Sequence, residues 1–244
     1  MSEILRRFRQ QWQPASRHRE VPSVLLAYNQ LPQGFSRDVL VEDTDFAILD
    51  LETTGPDARR GDRIVSISAI RFRGGRIDLA DAFHELVNPQ RGVCHDAACI
   101  HQILPSTVAG KPPIQDVLPH FIQYIGCSVL VAHHAWFDLS FLNADMLRLY
   151  GFRLFNRVVD TVHLDRALVE CRAGLTWATP VTLDSTLTGV AERYQVQVGD
   201  RHSSFGDALT TAQVFQRMVS EVERMGVLTL FQLLRFARRR GPSL

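Results

Sequence analysis

The sequence predicts an α/β domain built on one mixed sheet, with three antiparallel strands followed by two parallel strands between helices. Three observations predict it. A short apolar run, Phe46 to Leu51, ends abruptly in polar Glu52-Thr53-Thr54-Gly55-Pro56, as a buried strand does at its loop. The next run, Ile64 to Phe72, alternates around Ile64, Ser66, Ser68 and Ile70, and Gly74-Gly75 supplies a hairpin turn before Arg76 to Val87. Beyond it, apolar strand candidates at Ser128 to Ala132 and Val158 to Asp160 alternate with helical spacings, the pattern of parallel pairing.

Each element follows from local pattern. Helical signals lie at Ile114 to Tyr124 and Phe137 to Leu149. Leu183, Leu187, Val190, Ala191 and Tyr194 recur with a period near 3.6, as do Leu209, Ala212, Met218, Val219 and Val222. Residues 1 to 43, broken by Pro14, Pro22, Pro32 and Gly34, read as a basic N-terminal extension, a weakly amphipathic lead-in. Residues 14 to 44 and 171 to 181 read as linkers. The main domain is expected over 44 to 222. Residues 223 to 244 read as an amphipathic basic helix, with Val227 to Leu234 apolar and Arg235 and Arg238 to Arg240 following. Such a segment docks on the domain, on a partner or on a second copy, or stands solvated with its arginines complementing the helix dipole.

Composition narrows the function classes. The 244 residues carry 45% apolar content, enough for a sizeable core. Lys and Arg number 27 against 26 acids, yet residues 1 to 20 hold five Arg against two Glu and residues 217 to 244 hold six against two. An acidic centre thus lies between basic ends. The four cysteines form no CxxC pair, which suggests reduced thiols in the cytoplasm. Cys94, His95, Cys99 and His101 are close enough to suggest a zinc knuckle, but their spacing fits no standard ligand pattern. No run of 18 uncharged apolar residues exists and the N-terminus mixes Arg6, Arg7 and Arg9 with Gln, so neither a membrane span nor a signal peptide is expected.

The chemistry sits at the ends of the strands. Asp50 and Glu52 are two apart, so a strand points both to one side. Buried together they demand a proton or a shared cation, and a divalent ion with oxygen ligands meets that demand. Asp138 follows the strand Val131-Ala132 and shares a helical face with Leu142, Met146 and Leu149. His202 and Asp207 are five apart; on one helix they diverge by about 140°, so they converge only if His202 lies on the preceding loop. Ser203 or Ser204 is a ready N-cap for a helix that starts there.

Taken together, Ile48 to Gly55, Val131 to Asp138 and Arg201 to Ala208 resemble the three motifs of DEDD-superfamily 3′ to 5′ exonucleases of the DEDDh branch, the type of the proofreading epsilon subunit of DNA polymerase III. The resemblance covers about residues 44 to 222. It implies an RNase H-like fold, Asp50, Glu52, Asp138 and Asp207 as metal-binding catalytic acids, and His202 as general base. It implies two divalent cations, Mg²⁺ or Mn²⁺, and a single-stranded or frayed DNA 3′ end as substrate. A polymerase subunit and a second copy of the chain are the protein partners it leaves open. Thr53 and Thr54, with the ring of Phe137, are expected at the terminal nucleotide, although Phe137 serves equally as core. Ile100-His101-Gln102-Ile103 is similar to an Ile-His-Gly-Ile segment whose His approaches the nucleotide. Gln102 replaces that Gly, His134 replaces the usual Asn of the second motif and is expected as a substrate contact with an altered hydrogen bond, and Ser68 stands where Gly is common. Asp160 matches a position that is usually structural. A ribonuclease of the same superfamily trimming RNA is the alternative, and a vestigial partner-binding module a further one; the metal motifs do not separate DNA from RNA.

Overall fold

The computed structural model describes residues 21–31, 34, 36–174 and 182–238. Residues 1 to 20, most of the second expected linker (175 to 181), and Arg239 and Arg240 lie outside these.

Strand β1 (Phe46–Thr53) is the spine. It pairs antiparallel with β2 (Ile64–Arg73), which pairs antiparallel with β3 (Arg76–Leu86). On its other edge β1 pairs parallel with β4 (Val129–Ala132), and β4 with β5 (Val158–Asp160), giving the order β3-β2-β1-β4-β5. This is the expected five-stranded mixed sheet. Gly74 and Gly75 both have positive φ, 55° and 73°, which a two-residue hairpin of this hand requires.

Helices α1 (Ser23–Gln30), α4 (Ile114–Ile125) and α5 (Ala135–Tyr150) bury one face of the sheet, with Leu49, Ile67, Phe121 and Leu142 in one cluster. The opposite face is covered by α6 (Thr161–Arg172), α7 (Leu187–Arg193), α8 (Ser204–Arg224) and α9 (Leu230–Ala237), around Phe46, Phe72 and Phe215. Two short helices, α2 (His95–His101) and α3 (Pro105–Val108), link β3 to α4.

Three differences from the sequence expectation have physical causes. β2 is buried along both faces rather than alternately, because helices cover both sides of the sheet. Within the lead-in, α1 is packed: Leu25 and Tyr28 are buried, and Tyr28 stacks on Phe155 at 4.2 Å. Eight residues flanked by prolines carry too little periodicity to announce that contact. Thr161–Arg172, which showed no clear apolar period, forms α6, capped by the Asp160 carboxylate on Val162 N–H at 3.0 Å.

The C-terminal segment folds onto the domain. Leu230, Leu233, Leu234 and Phe236 are buried, and a capping box of Thr229 and Gln232 starts α9. Leu40 bridges Thr229, tying the stretch before β1 to the start of α9.

Candidate active site

Both acids of β1 lie where the strand leaves the sheet, and its two-residue period sets them on one side. Asp138 enters from the first turn of α5 and is buried beneath them. Asp207 enters from the first turn of α8, four residues after its N-cap Ser203. Carboxylate oxygens of Asp50, Glu52 and Asp207 all lie within 4.8 Å of one another. A cleft of about 370 Å³ gathers Asp50, Leu51, Glu52, His133, His134, Trp136, Phe137, Asp138, His202 and Asp207. All four acids and His202 thus share one cleft, although the sequence scatters them from 50 to 207.

The acids disturb one another. Burial pushes Asp50 well above the usual carboxylate range, and Asp138, Glu52 and Asp207 add to it. Glu52 is pushed up to about 8, by burial first and then by Asp207. Asp138 is raised by burial, with the charges of Asp160 and Glu52 adding to it, and Asp207 is raised by burial against the opposing charge of Arg201. Carboxylates held this way bind protons or cations strongly. Divalent cations, which favour oxygen donors, fit this donor set; Asp50, Glu52 and Asp207 form the group of potential metal ligands found among the described residues, and Asp138 lines the same cleft.

His202 lies on the loop before α8, as convergence with Asp207 demands. Its φ of 61° is left-handed, it is exposed, and its backbone N–H donates to Asp207 Oδ2 at 3.3 Å. Gly206 permits the tight turn, since a Cβ there would strike the Asp200 carbonyl. Arg201, on the same loop, donates from Nη1 to Asp207 Oδ1 at 2.6 Å.

The expected nucleotide contacts divide. His134 and Phe137 line the cleft; Thr53, Thr54 and His101 are buried and are not part of its lining. Thr53 is buried and donates from Oγ1 to the Gly55 carbonyl, and Thr54 donates to Asp62. His101 is buried between α2 and β1, its Nε2 donating to the Thr53 carbonyl at 3.2 Å while Nδ1 accepts from Ile103 N–H at 3.0 Å. With both nitrogens engaged, His101 does not converge with Cys94, His95 and Cys99 on a zinc site. Phe137 is half-buried, with its ring 5.1 Å from Phe141, so it serves core and cleft together. Trp136, which the sequence reading passed over, is 57% exposed at the rim.

The departures from the family pattern fall at defined backbone positions. Gln102 (φ 58°) and His134 (φ 57°) both sit in the left-handed region, which suits the family's Gly and Asn and which the larger side chains tolerate at modest strain. Buried Ser68 places its hydroxyl 2.8 Å from Ser204 and 2.8 Å from His84 Nδ1; Ser66 reaches Ser204 at 2.7 Å. These hydroxyls pin the start of α8 to β2. Asp160 accepts from Ala135 N–H at 2.9 Å as well as capping α6, so it orders the turn that leads into α5; it does not line the cleft, but its charge adds to the rise of Asp138.

Solved structures share this architecture. Exonuclease X, in complex with 5′ overhanging duplex DNA, superposes with a TM-score of 0.57 at 25% identity, covering 79% of this chain and 99% of that one. The nuclease domain of 3′hExo, a DEDDh family member bound to rAMP, gives 0.59 at 16% identity, over 73% of this chain and 93% of that one, a likeness of fold. Fold and acid cleft together define a hydrolytic exonuclease of RNase H-like architecture. The chain belongs to the RNase_T exonuclease family, which matches residues 47–215. Among curated relatives, the DNA polymerase III PolC-type protein of Thermotoga maritima is 31% identical over 201 residues, 82% of this chain and 14% of that protein. The DNA polymerase III subunit epsilon-like protein of Rhodobacter capsulatus is 33% identical over 198 residues, 80% of this chain and 27% of that protein. The chain therefore spans about a quarter or less of these relatives' length. Among the described residues no helix is long and apolar enough to cross a membrane.

Proposed function

We propose that this chain removes nucleotides from DNA 3′ ends by hydrolysis, in proofreading or repair, with divalent cations held by Asp50, Glu52, Asp138 and Asp207. The observation that carries this reading is the approach of the Asp50, Glu52 and Asp207 carboxylates to within 4.8 Å in an open cleft. Cations bound there supply a Lewis acid for the phosphate and an acidified water. Asp50, Glu52 and Asp207 would hold a cation between them, with Asp138 completing the acidic wall of the cleft.

His202 takes the proton of the attacking water. Its exposed position on the loop at the cleft lets the ring reach solvent and substrate, while the hydrogen bond from its N–H to Asp207 fixes its backbone. His134, Phe137 and Trp136 give the terminal nucleotide polar and stacking surfaces. Thr53, Thr54 and His101 act from behind, holding the backbone that follows Glu52 in place.

DNA is favoured as substrate because the curated relatives are named for DNA polymerase III, which also makes a replicative polymerase the proposed partner. The test is degradation of matched, 5′-labelled DNA and RNA oligonucleotides, with Mg²⁺ or Mn²⁺ and with excess chelator. Laddering of DNA from the 3′ end, lost in chelator and restored by cation, is expected. Activity persisting in chelator overturns the cation site, and preference for RNA overturns the choice of substrate.

A further inference from the structure

A second cavity, of about 300 Å³, opens beyond the β1–β2 loop and contains none of the acids of the cleft. Arg63, Arg91 and Arg148 line it with Asn88, Gln90 and Asp145. Two of the guanidiniums are fixed by carboxylates behind them. Arg148 donates through Nε and Nη2 to Asp145 Oδ1, at 3.0 and 2.6 Å, and Asp145 is buried. Arg91 pairs with Asp62 at 3.3 Å. Asp62 in turn accepts from Asp57 N–H and Thr54 Oγ1 and lies so close to Gly55 that a Cβ there would sit 2.6 Å from it. Arg63 has no ion pair among the described residues; its Nη1 reaches only the Asp62 carbonyl, at 3.5 Å. At the lip, Gln90 holds a left-handed φ of 54°, with its N–H on Asn88 Oδ1. Oriented guanidiniums, one of them without a counter-charge, and a strained polar lip make an anion seat in a chain whose centre is otherwise acidic.

Its position relates it to the cleft. β2 begins opposite the end of β1, with Ile64 paired to Thr53, so both cavities open at the same end of the sheet. Asp138 and Asp145 lie on one face of α5, and the helix rises about 10 Å between them and about 15 Å from Asp138 to Arg148. That span equals roughly three to four stacked nucleotides at about 3.4 Å each. Four acids at the cleft repel a polyanion, so attraction must come from elsewhere on the surface.

We propose that this cavity is a second phosphate-binding site, which holds a backbone phosphate of the nucleic-acid strand whose end occupies the cleft. The inference rests on the nuclease reading and adds to it the footprint of the substrate. Arg63 contacts the phosphate, with Arg91 and Arg148 flanking it.

The test uses the full chain, Arg63→Gln and Arg63→Lys, chosen because Arg63 leaves no buried carboxylate unpaired. Binding of a fluorescent 12-nucleotide single strand is followed by anisotropy in chelator, where no turnover occurs, over a salt series. Expected for Arg63→Gln is affinity about three- to tenfold weaker and a log–log salt slope reduced by about one, with the slope kept by Arg63→Lys. Hydrolysis of a chromogenic mononucleotide ester, too short to span both sites, is expected to stay unchanged. Equal affinity and slope in Arg63→Gln, with no phosphate-dependent thermal shift lost, overturn the site. A thermal shift with inorganic phosphate that Arg63→Gln abolishes, while strand affinity stays equal, overturns the strand as its source. Absence of hydrolysis by the unmodified chain overturns the nuclease reading alone, since the binding measurement needs no turnover.

Discussion

Arg201 Nη1 lies 2.6 Å from Asp207 Oδ1, placing one guanidinium against a cluster of four mutually repelling acids. Its charge opposes the upward push on Asp50, Glu52 and Asp207 alike. A cation and this guanidinium compete for the same carboxylate. Arg201→Gln is therefore expected to lower the melting temperature in chelator and to enlarge the rise produced by saturating Mg²⁺. A thermal-shift titration reads both; an unchanged Mg²⁺ increment would show that Arg201 does not act as counter-charge to the site.

Removing the imidazole separates chemistry from binding. In His202→Ala the backbone N–H that meets Asp207 remains, so the acids keep their arrangement. Turnover is expected to fall about 10²- to 10⁴-fold, the range for a lost general base, with oligonucleotide affinity in chelator preserved. Retained turnover removes His202 from the mechanism.

In the wall of the cleft, His133 has both ring nitrogens engaged. Its Nε2 donates to the Ser185 carbonyl at 2.8 Å and its Nδ1 lies 2.9 Å from Thr161 Oγ1. Burial, with His134 adding to it, lowers its pKa to about 4. Between pH 6.5 and about 4 the unfolded chain binds the proton and the folded chain does not, so stability is full above that window and falls as the pH drops through it. The expected loss at pH 5 is on the order of 2 kcal/mol. Urea midpoints for the wild type and His133→Asn at pH 7 and pH 5 check it: the wild type should lose more, and parallel losses would discard the account.

The packing of α9 makes a further claim. Leu233 is fully buried in the core around Phe215. Leu233→Ala is expected to cost about 2–5 kcal/mol. A solvated helix end would register almost nothing in the same denaturation curve.

Much of the site was legible because its signals are local. A strand's two-residue period settles that Asp50 and Glu52 share a side, and the angle between His202 and Asp207 settles that His202 lies on the loop. The Gly74-Gly75 turn and the apolar runs at 129 and 158 are equally local, so the strands could be read as well, whereas their parallel pairing joins Phe46 to Val129 across the chain. Thr161–Arg172 was missed because its pattern is mixed, and α1 because its anchor, Tyr28 on Phe155, joins residues far apart in the chain.

The sequence by itself determined the chemistry available and the side of each element that carries it: acids at strand and helix ends, an imidazole on a loop, a hairpin closed by two glycines. Tertiary structure alone decided that Arg201 neutralises Asp207, that both nitrogens of His101 serve the protein, that Ser66 and Ser68 hold Ser204, and that Arg63, Arg91 and Arg148 line one cavity. The physical reason is range. Backbone periodicity fixes direction over a few residues, whereas charge pairing and burial depend on distances set only when segments a hundred residues apart close on one core.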